Sequence, residues 1–228
     1  MNAALQLTRL LQLASPALPV GAYTYSQGLE WAVESGVIRD EVSAGCWIND
    51  LLLHGIGRYE APLVFALISA WTAADETEIT RLNTEFLASR ESAELRAETA
   101  QMGYSLRRLI RDLRDDSLAP VASLVETWPE VGFPTVWAGI AAAWKIDSAA
   151  ALTAYLWSWA ENQVMAALKA VPLGQASGQR LLAALGGKIP AIAADALKLP
   201  ETAWSNFTPA FAIASARHET QYSRLFRS

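Results

Sequence analysis

The stretch DSAAALTAYLWSWAENQVMAALKAVP, residues 147–172, decides the fold. Asp147 is a helix-capping residue, because its short carboxylate can accept from the orphan N–H groups of a first turn. Behind it Leu152, Tyr155, Leu156, Trp159, Gln163 and Met165 recur at the three- and four-residue steps of one helical face. Val171-Pro172 then stops the helix, since proline removes a donor and disfavours helical backbone before it. Outward from this element the same period continues. Ile79, Leu82 and Phe86 share a face behind an Asp75 to Glu78 capping pattern, and Leu95, Met102, Leu106, Leu109 and Leu113 form a stripe from about 90 to 114. Pro62, Pro134 and Pro190 stand where helices can begin, and Gly36, Gly55 or Gly57, and Gly186-Gly187 where others can end. There is no Asn-Gly or Asp-Gly hairpin signal and no clear alternating strand. The pattern predicts an all-α fold of about nine to eleven helices.

Composition adds the organisation. The 228 residues can bury one large core, and no Pro/Gly/Ser linker divides them, so residues 1–228 read as a single globular domain with a distinctive segment at 215–228. The chain is 52% hydrophobic with nine Trp and only 18% charged residues, more apolar surface than a monomer hides, which predicts an oligomer or complex subunit. The longest uncharged apolar stretch, Ala61 to Ala74, is fourteen residues, short of the roughly 20 that span a bilayer. Met1 to Leu13 lacks the charge and apolar order of a signal peptide. A single Cys permits no internal disulfide, which suits a cytoplasmic location. Net charge of −5 argues against general nucleic-acid binding.

Catalytic chemistry is poorly represented. His54, His218 and Cys46 are the whole imidazole and thiol complement, so no metal site is expected from them without borrowed ligands. His218-Glu219 lacks the second His of a zinc-protease motif, because Gln221-Tyr222 comes after it. Gly186-Gly187-Lys188 lacks the spacing of a phosphate-binding loop and reads as a helix stop. Ser15 and Ser26 have no local His or Asp partner and read as caps or turn residues. Cys46, beside Trp47 and Ile48, reads as small core filling.

Three places carry binding potential instead. In the segment 215–228, Arg217, Arg224 and Arg227 accompany Tyr222 and Phe226, residue types that dominate interface energies. Were it helical, Tyr222, Leu225 and Phe226 would share one face, giving either a docking element or a last helix folded onto its own core. Lys169, near the end of an apolar helix, either caps carbonyls with the helix dipole or contacts a partner. In the block from Ser15 to Glu30, Pro16 and Pro19 fix an extended connection, Gly21 and Gly28 permit close backbone approach, and Tyr23 and Tyr25 project polar-tipped aromatics. Packing and a partner surface or channel wall explain that block equally well, with Ser15, Pro19, Gly21, Tyr23, Tyr25, Ser26, Gly28 and Glu30 as its candidate residues.

These places also carry a resemblance. SPALPVGAYTYSQGLE at 15–30, NQVMAALKAVPLGQ at 162–175 with Gly178-Gln179-Arg180 shortly after it, and SARHETQYSRLFRS at 215–228 are together similar to the signatures of the urease accessory protein UreF family. The resemblance implies an all-α fold and a non-enzymatic nickel-insertion chaperone or adaptor. It implies a homodimer that bridges UreD (UreH) and the GTPase UreG on urease apoprotein and supports GTP-dependent nickel delivery. It further implies that nickel passes through the assembled complex, that GTP is bound by the partner alone, and that no cofactor is held stably. Lys169 would contact the nucleotide-binding partner or control its engagement, Arg217, Tyr222, Arg224 and Phe226 would dock UreD, and His218 and Glu219 between them are further partner-binding candidates. Thr153 and Trp157 depart from the Arg and Tyr that some members place on that helix, which leaves its partner contacts open. The alternative is a small α-helical hydrolase or lyase using carboxylates such as Glu30, Glu34 or Glu161.

Overall fold

The computed structural model describes residues 3–228, and among them every regular element is helical. Twelve α-helices succeed one another in chain order: α1 (Ala3–Leu13), α2 (Leu29–Glu34), α3 (Glu41–Leu51), α4 (Ala61–Ala73), α5 (Glu76–Ala88), α6 (Ala93–Asp112), α7 (Ala119–Glu126), α8 (Phe133–Ala143), α9 (Ser148–Ala170), α10 (Gln175–Gly186), α11 (Ile189–Ala196) and α12 (Pro209–His218). A π-helical segment, Leu52–Glu60, joins α3 to α4 without a break, so the twelve make eleven separate rods. The all-α fold and the expected number of helices are those observed.

Helix ends are set by local chemistry. Asp147 accepts from the Ala150 N–H at 3.0 Å to start α9, and Val171 leaves the helix with extended backbone. Asp75 and Ser92 cap α5 and α6 in the same way, and Asp40 makes a reciprocal capping box with Ser43 at the start of α3. Each such cap contributes about 1 kcal/mol. Proline occupies the first turn of α4, α8 and α11 as the sequence predicts, and of α7 and α12 besides.

At the centre, α4 packs along α8 and against α9. Leu63, Val64 and Leu67 of α4, Val136, Trp137 and Ile140 of α8, and Leu152, Tyr155 and Leu156 of α9 are buried together in one core. Full burial of each large apolar side chain contributes roughly 1.5–3 kcal/mol. On the remaining sides, α9 meets α1, α2, α10 and α11.

Four local expectations are corrected. Gly55 and Gly57 do not end a helix; both lie in the π segment, where a Cβ at Gly57 would stand 2.6 Å from both the Leu52 carbonyl oxygen and the Ile192 side chain. The run Glu41–Ala73 is therefore 33 residues, long and apolar enough to cross a membrane by length and composition, and 56% of its apolar window is buried inside the protein. Cys46 is exposed, because α3 buries Ala44, Ile48 and Leu51, and two residues of helix turn Cys46 to the opposite side. Leu113 falls just past the end of α6 and is exposed.

Candidate functional site

The three blocks singled out in the sequence converge beside α9. Gly28 opens α2 with φ +78°, and a Cβ there would lie 2.8 Å from the Ser215 backbone nitrogen. Only glycine fits both constraints, so α2 starts in direct backbone contact with α12. This approach aims Glu30 at the segment beyond α12. Glu30 Oε1 accepts from the Leu225 N–H at 2.6 Å, and Oε2 accepts from the Phe226 N–H at 3.0 Å while facing His218 Nε2 at 3.2 Å. The other ring nitrogen of His218 stands 2.6 Å from Glu94, whose second oxygen accepts from Arg224 at 2.6 Å.

The final residues complete the attachment. The backbone N–H groups of Ser26 and Gln27 donate to the Ser228 carbonyl oxygen at 2.7 and 3.0 Å, and the Ser26 hydroxyl donates to it at 2.7 Å. Arg227 N–H donates to Thr24 O at 2.8 Å. The Ser228 hydroxyl donates to Glu98 Oε2 at 2.6 Å, and the Gln27 amide donates to Oε1 at 2.7 Å. Phe226 is buried under Lys169, whose ammonium lies 5.5 Å from the Phe226 ring centroid and 5.9 Å from that of Tyr23. Lys169 also donates to the Tyr23 carbonyl oxygen at 3.4 Å. Besides ending α9, it therefore bridges the first and third blocks by cation–π contact.

The segment is not the helix considered from the sequence. α12 ends at His218, and the chain from Glu219 to Ser228 is irregular because side chains satisfy its backbone and neighbouring donors. Glu30 takes two of its N–H groups, and Glu219 reaches back to cap α6 by accepting from Ala93 and Glu94 N–H at 2.7 and 3.3 Å. The apolar face of Tyr222, Leu225 and Phe226 is split accordingly. Phe226 is buried, whereas Tyr222 and Leu225 stand in solvent with Arg217, Arg224 and Arg227. His218 is wholly buried, as are Tyr25, Ser26, Gly28 and Glu30; Pro19 and Gly21 are exposed and Ser15 and Tyr23 half-buried. The surface of this site is thus Pro19, Gly21, Tyr23, Lys169, Tyr222, Leu225 and the arginines, and the remaining candidate residues are its scaffold.

Inward of the site lies a cavity of about 100 Å³ whose lining includes Ser15, Tyr23, Gln27, Glu60, Glu98 and Tyr155. The π segment turns Glu60 inward, where the Tyr155 hydroxyl donates to it at 2.5 Å and Arg90 lies 3.4 Å away. Irregular helical turns of this kind are frequent at functional sites. Burial raises the Glu98 carboxyl to about 7, against the lowering effect of its Ser228 and Gln27 hydrogen bonds. Burial, then Glu161, raises Tyr23; burial, then Glu60, pushes Tyr155 well above its ordinary value. Glu60, Glu94 and Glu98 were not singled out in the sequence. One signal was available, since Glu98 sits three residues after Leu95 and four before Met102, on the apolar stripe of α6.

The geometry suits attachment rather than turnover. Glu30 is engaged by two N–H groups and His218, and Ser26 Oγ is engaged by Ser228 and Glu30 N–H, so neither stands free as base or nucleophile. Glu34 is exposed and Glu161 half-buried. Among the described residues no three His, Cys, Asp or Glu side chains are grouped so as to hold a metal ion.

Comparison with known proteins places the chain in a family. Residues 38–186 match the UreF family profile. The chain is 78% identical to the urease accessory protein UreF of Dechloromonas aromatica (strain RCB) over the whole of both chains. It is 62% identical to that of Azoarcus sp. (strain BH72), covering 98% of this chain and 96% of the relative. It is 47% identical to the bifunctional urease accessory protein UreEF of Bordetella bronchiseptica, over 98% of this chain and 52% of that longer one. The chain belongs to the UreF family, a family of urease accessory proteins and not of catalytic enzymes.

Proposed function

We propose that this protein is an adaptor in urease maturation that bridges UreD and the GTPase UreG on urease apoprotein and supports GTP-dependent nickel delivery in the cytoplasm. The observation that carries the reading is the convergence of the three blocks into one surface. Tyr222 and Leu225 stand exposed on it among arginines, with Phe226, Glu30 and His218 fixing the chain beneath them. Exposed aromatic and aliphatic side chains on a firmly held loop offer buried area to a partner with little ordering cost. In this reading UreD docks on that surface. Lys169, exposed at the end of α9 beside Tyr23, contributes to recruitment of the nucleotide-binding partner.

Nickel is cargo rather than cofactor here, and GTP belongs to UreG. The cavity with Glu60 and Glu98 supports a passage through the assembled complex, since carboxylate oxygens suit a divalent cation in transit. The abundance of apolar residues supports a homodimer. Reconstitution tests the proposal: the chain, UreD and UreG with GTP should co-elute as one complex and load nickel into apo-urease, and omission of the chain should abolish loading. Full loading without it would overturn the reading.

A further inference from the structure

Glu98 is buried, 5% exposed at the edge of the cavity, and Ser228, itself 1% exposed, packs against its Oε2. Ser228 reaches it twice, directly through its hydroxyl to Oε2, and indirectly because its carbonyl oxygen holds the backbone of Gln27, whose amide donates to Oε1. The Trp159 indole N–H fixes the Gln27 side-chain oxygen at 2.8 Å, so Gln27 presents its NH₂ to Glu98. Both donors are neutral. The charged and titratable groups facing Glu98 are Glu60 from the π segment, Arg90 from the α5–α6 connection and Tyr155 from α9. Arg90 is turned to Glu60 and stacks 4.1 Å above the Phe86 ring, so it forms no ion pair with Glu98. Glu60 carries the same charge sign as an ionised Glu98.

We propose that seating of residues 219–228 is proton-linked through Glu98: its carboxyl group takes up a proton as Ser228 closes over it and gives that proton up as the segment lifts away. In the seated state the buried charged form has only the two neutral donors and an Arg90 engaged elsewhere to offset its lost hydration, whereas lifting Ser228 opens Oε2 to solvent. The raised value sets the sign. A carboxyl held at about 7 when enclosed and at its ordinary 4.5 when hydrated favours seating fully below 4.5, and that advantage is lost as pH rises through 7. A partner that draws the segment off its seat would therefore release a proton, and a fall in pH would oppose it. The proposal does not depend on which partner does so.

Amide hydrogen exchange tests it on the full chain. Protection of Ser26, Gln27, Leu225 and Phe226, referred to the intrinsic rate at each pH, should fall by at least about tenfold between about pH 5.5 and about pH 8. In Glu98→Gln, which keeps an acceptor for Gln27 and a donor for Ser228, protection should stay high and flat. His218, the last residue of α12 just before the segment, lies between Glu30 and Glu94, and an unchanged slope in Glu98→Gln would assign the linkage elsewhere and overturn the proposal. A flat profile in the wild-type chain would overturn it too. Should Glu98→Gln not fold, infrared spectroscopy of the wild-type chain decides. A buried carboxylic acid band that disappears in step with the loss of protection supports the linkage, and a band that titrates while protection stays constant contradicts it.

Discussion

Glu30 and Lys169 concentrate the site's chemistry at the residue scale. Glu30 meets three groups that lie 188 to 196 residues away in sequence, two backbone N–H donors and the His218 ring. Glu30→Gln removes one charge-assisted acceptor from two backbone N–H groups, each such hydrogen bond contributing about 1.5–3 kcal/mol. We expect the segment 219–228 to lose amide protection at Leu225 and Phe226 while the helical circular dichroism remains. Lys169→Ala should change unfolding free energy by no more than about 1 kcal/mol in urea titration, since an exposed charge at a helix end and an exposed cation–π contact are each small. If the proposed partner contact is real, recruitment of UreG should fall in the same variant; normal recruitment would leave Lys169 as a capping and bridging residue. Lys169 was legible in the sequence because a lone cation in an apolar turn stands out. The role of Glu30 as seat for a distant backbone was not, because hydrogen bonds to main-chain N–H groups leave no residue-type signature on the donor side.

Among the elements, α6 carries the feature with the clearest pH consequence. It buries Leu95, Met102, Leu106 and Ile110 and, on the same face, Glu98. With the folded value near 7 and the ordinary value at 4.5, the charge burial penalty grows as pH rises through that window and is complete above it. Glu98→Gln should therefore be more stable than the wild-type chain at alkaline pH, by about 3 kcal/mol, and equal to it in acid. Denaturant unfolding at several pH values checks this, and a constant difference would place the effect in packing. Periodicity and capping made α5, α6 and α9 readable, including the stop at Val171, because those signals are local. The π segment was not readable. Gly55 and Gly57 resemble helix stops until the packing of Ile192 against Gly57 is known, and that contact joins residues far apart in sequence.

For the whole molecule, the proposed homodimer predicts a light-scattering mass of about twice 24.7 kDa at micromolar concentration. A monomer that persists on concentration would remove that part of the account. The segment from Ser215 onward belongs more closely to the fold than its position suggests. Ser215 and His218 are buried in α12, and cutting the chain after Ala214 would take from Glu30 and Glu94 their His218 contacts and from Glu98 its Ser228 donor. Deletion is therefore a poor probe of docking, because loss of binding and loss of structure would coincide. Substituting the exposed pair separates them. The double variant Tyr222→Ala and Leu225→Ala changes side chains that stand in solvent and leaves the backbone donors to Glu30 in place. Co-purification of this variant with UreD, beside the wild-type chain and with circular dichroism of both, tests the central claim that the seated segment presents the docking surface. We predict unchanged helicity and loss of the UreD complex; a variant that folds normally and still retains UreD would contradict the account.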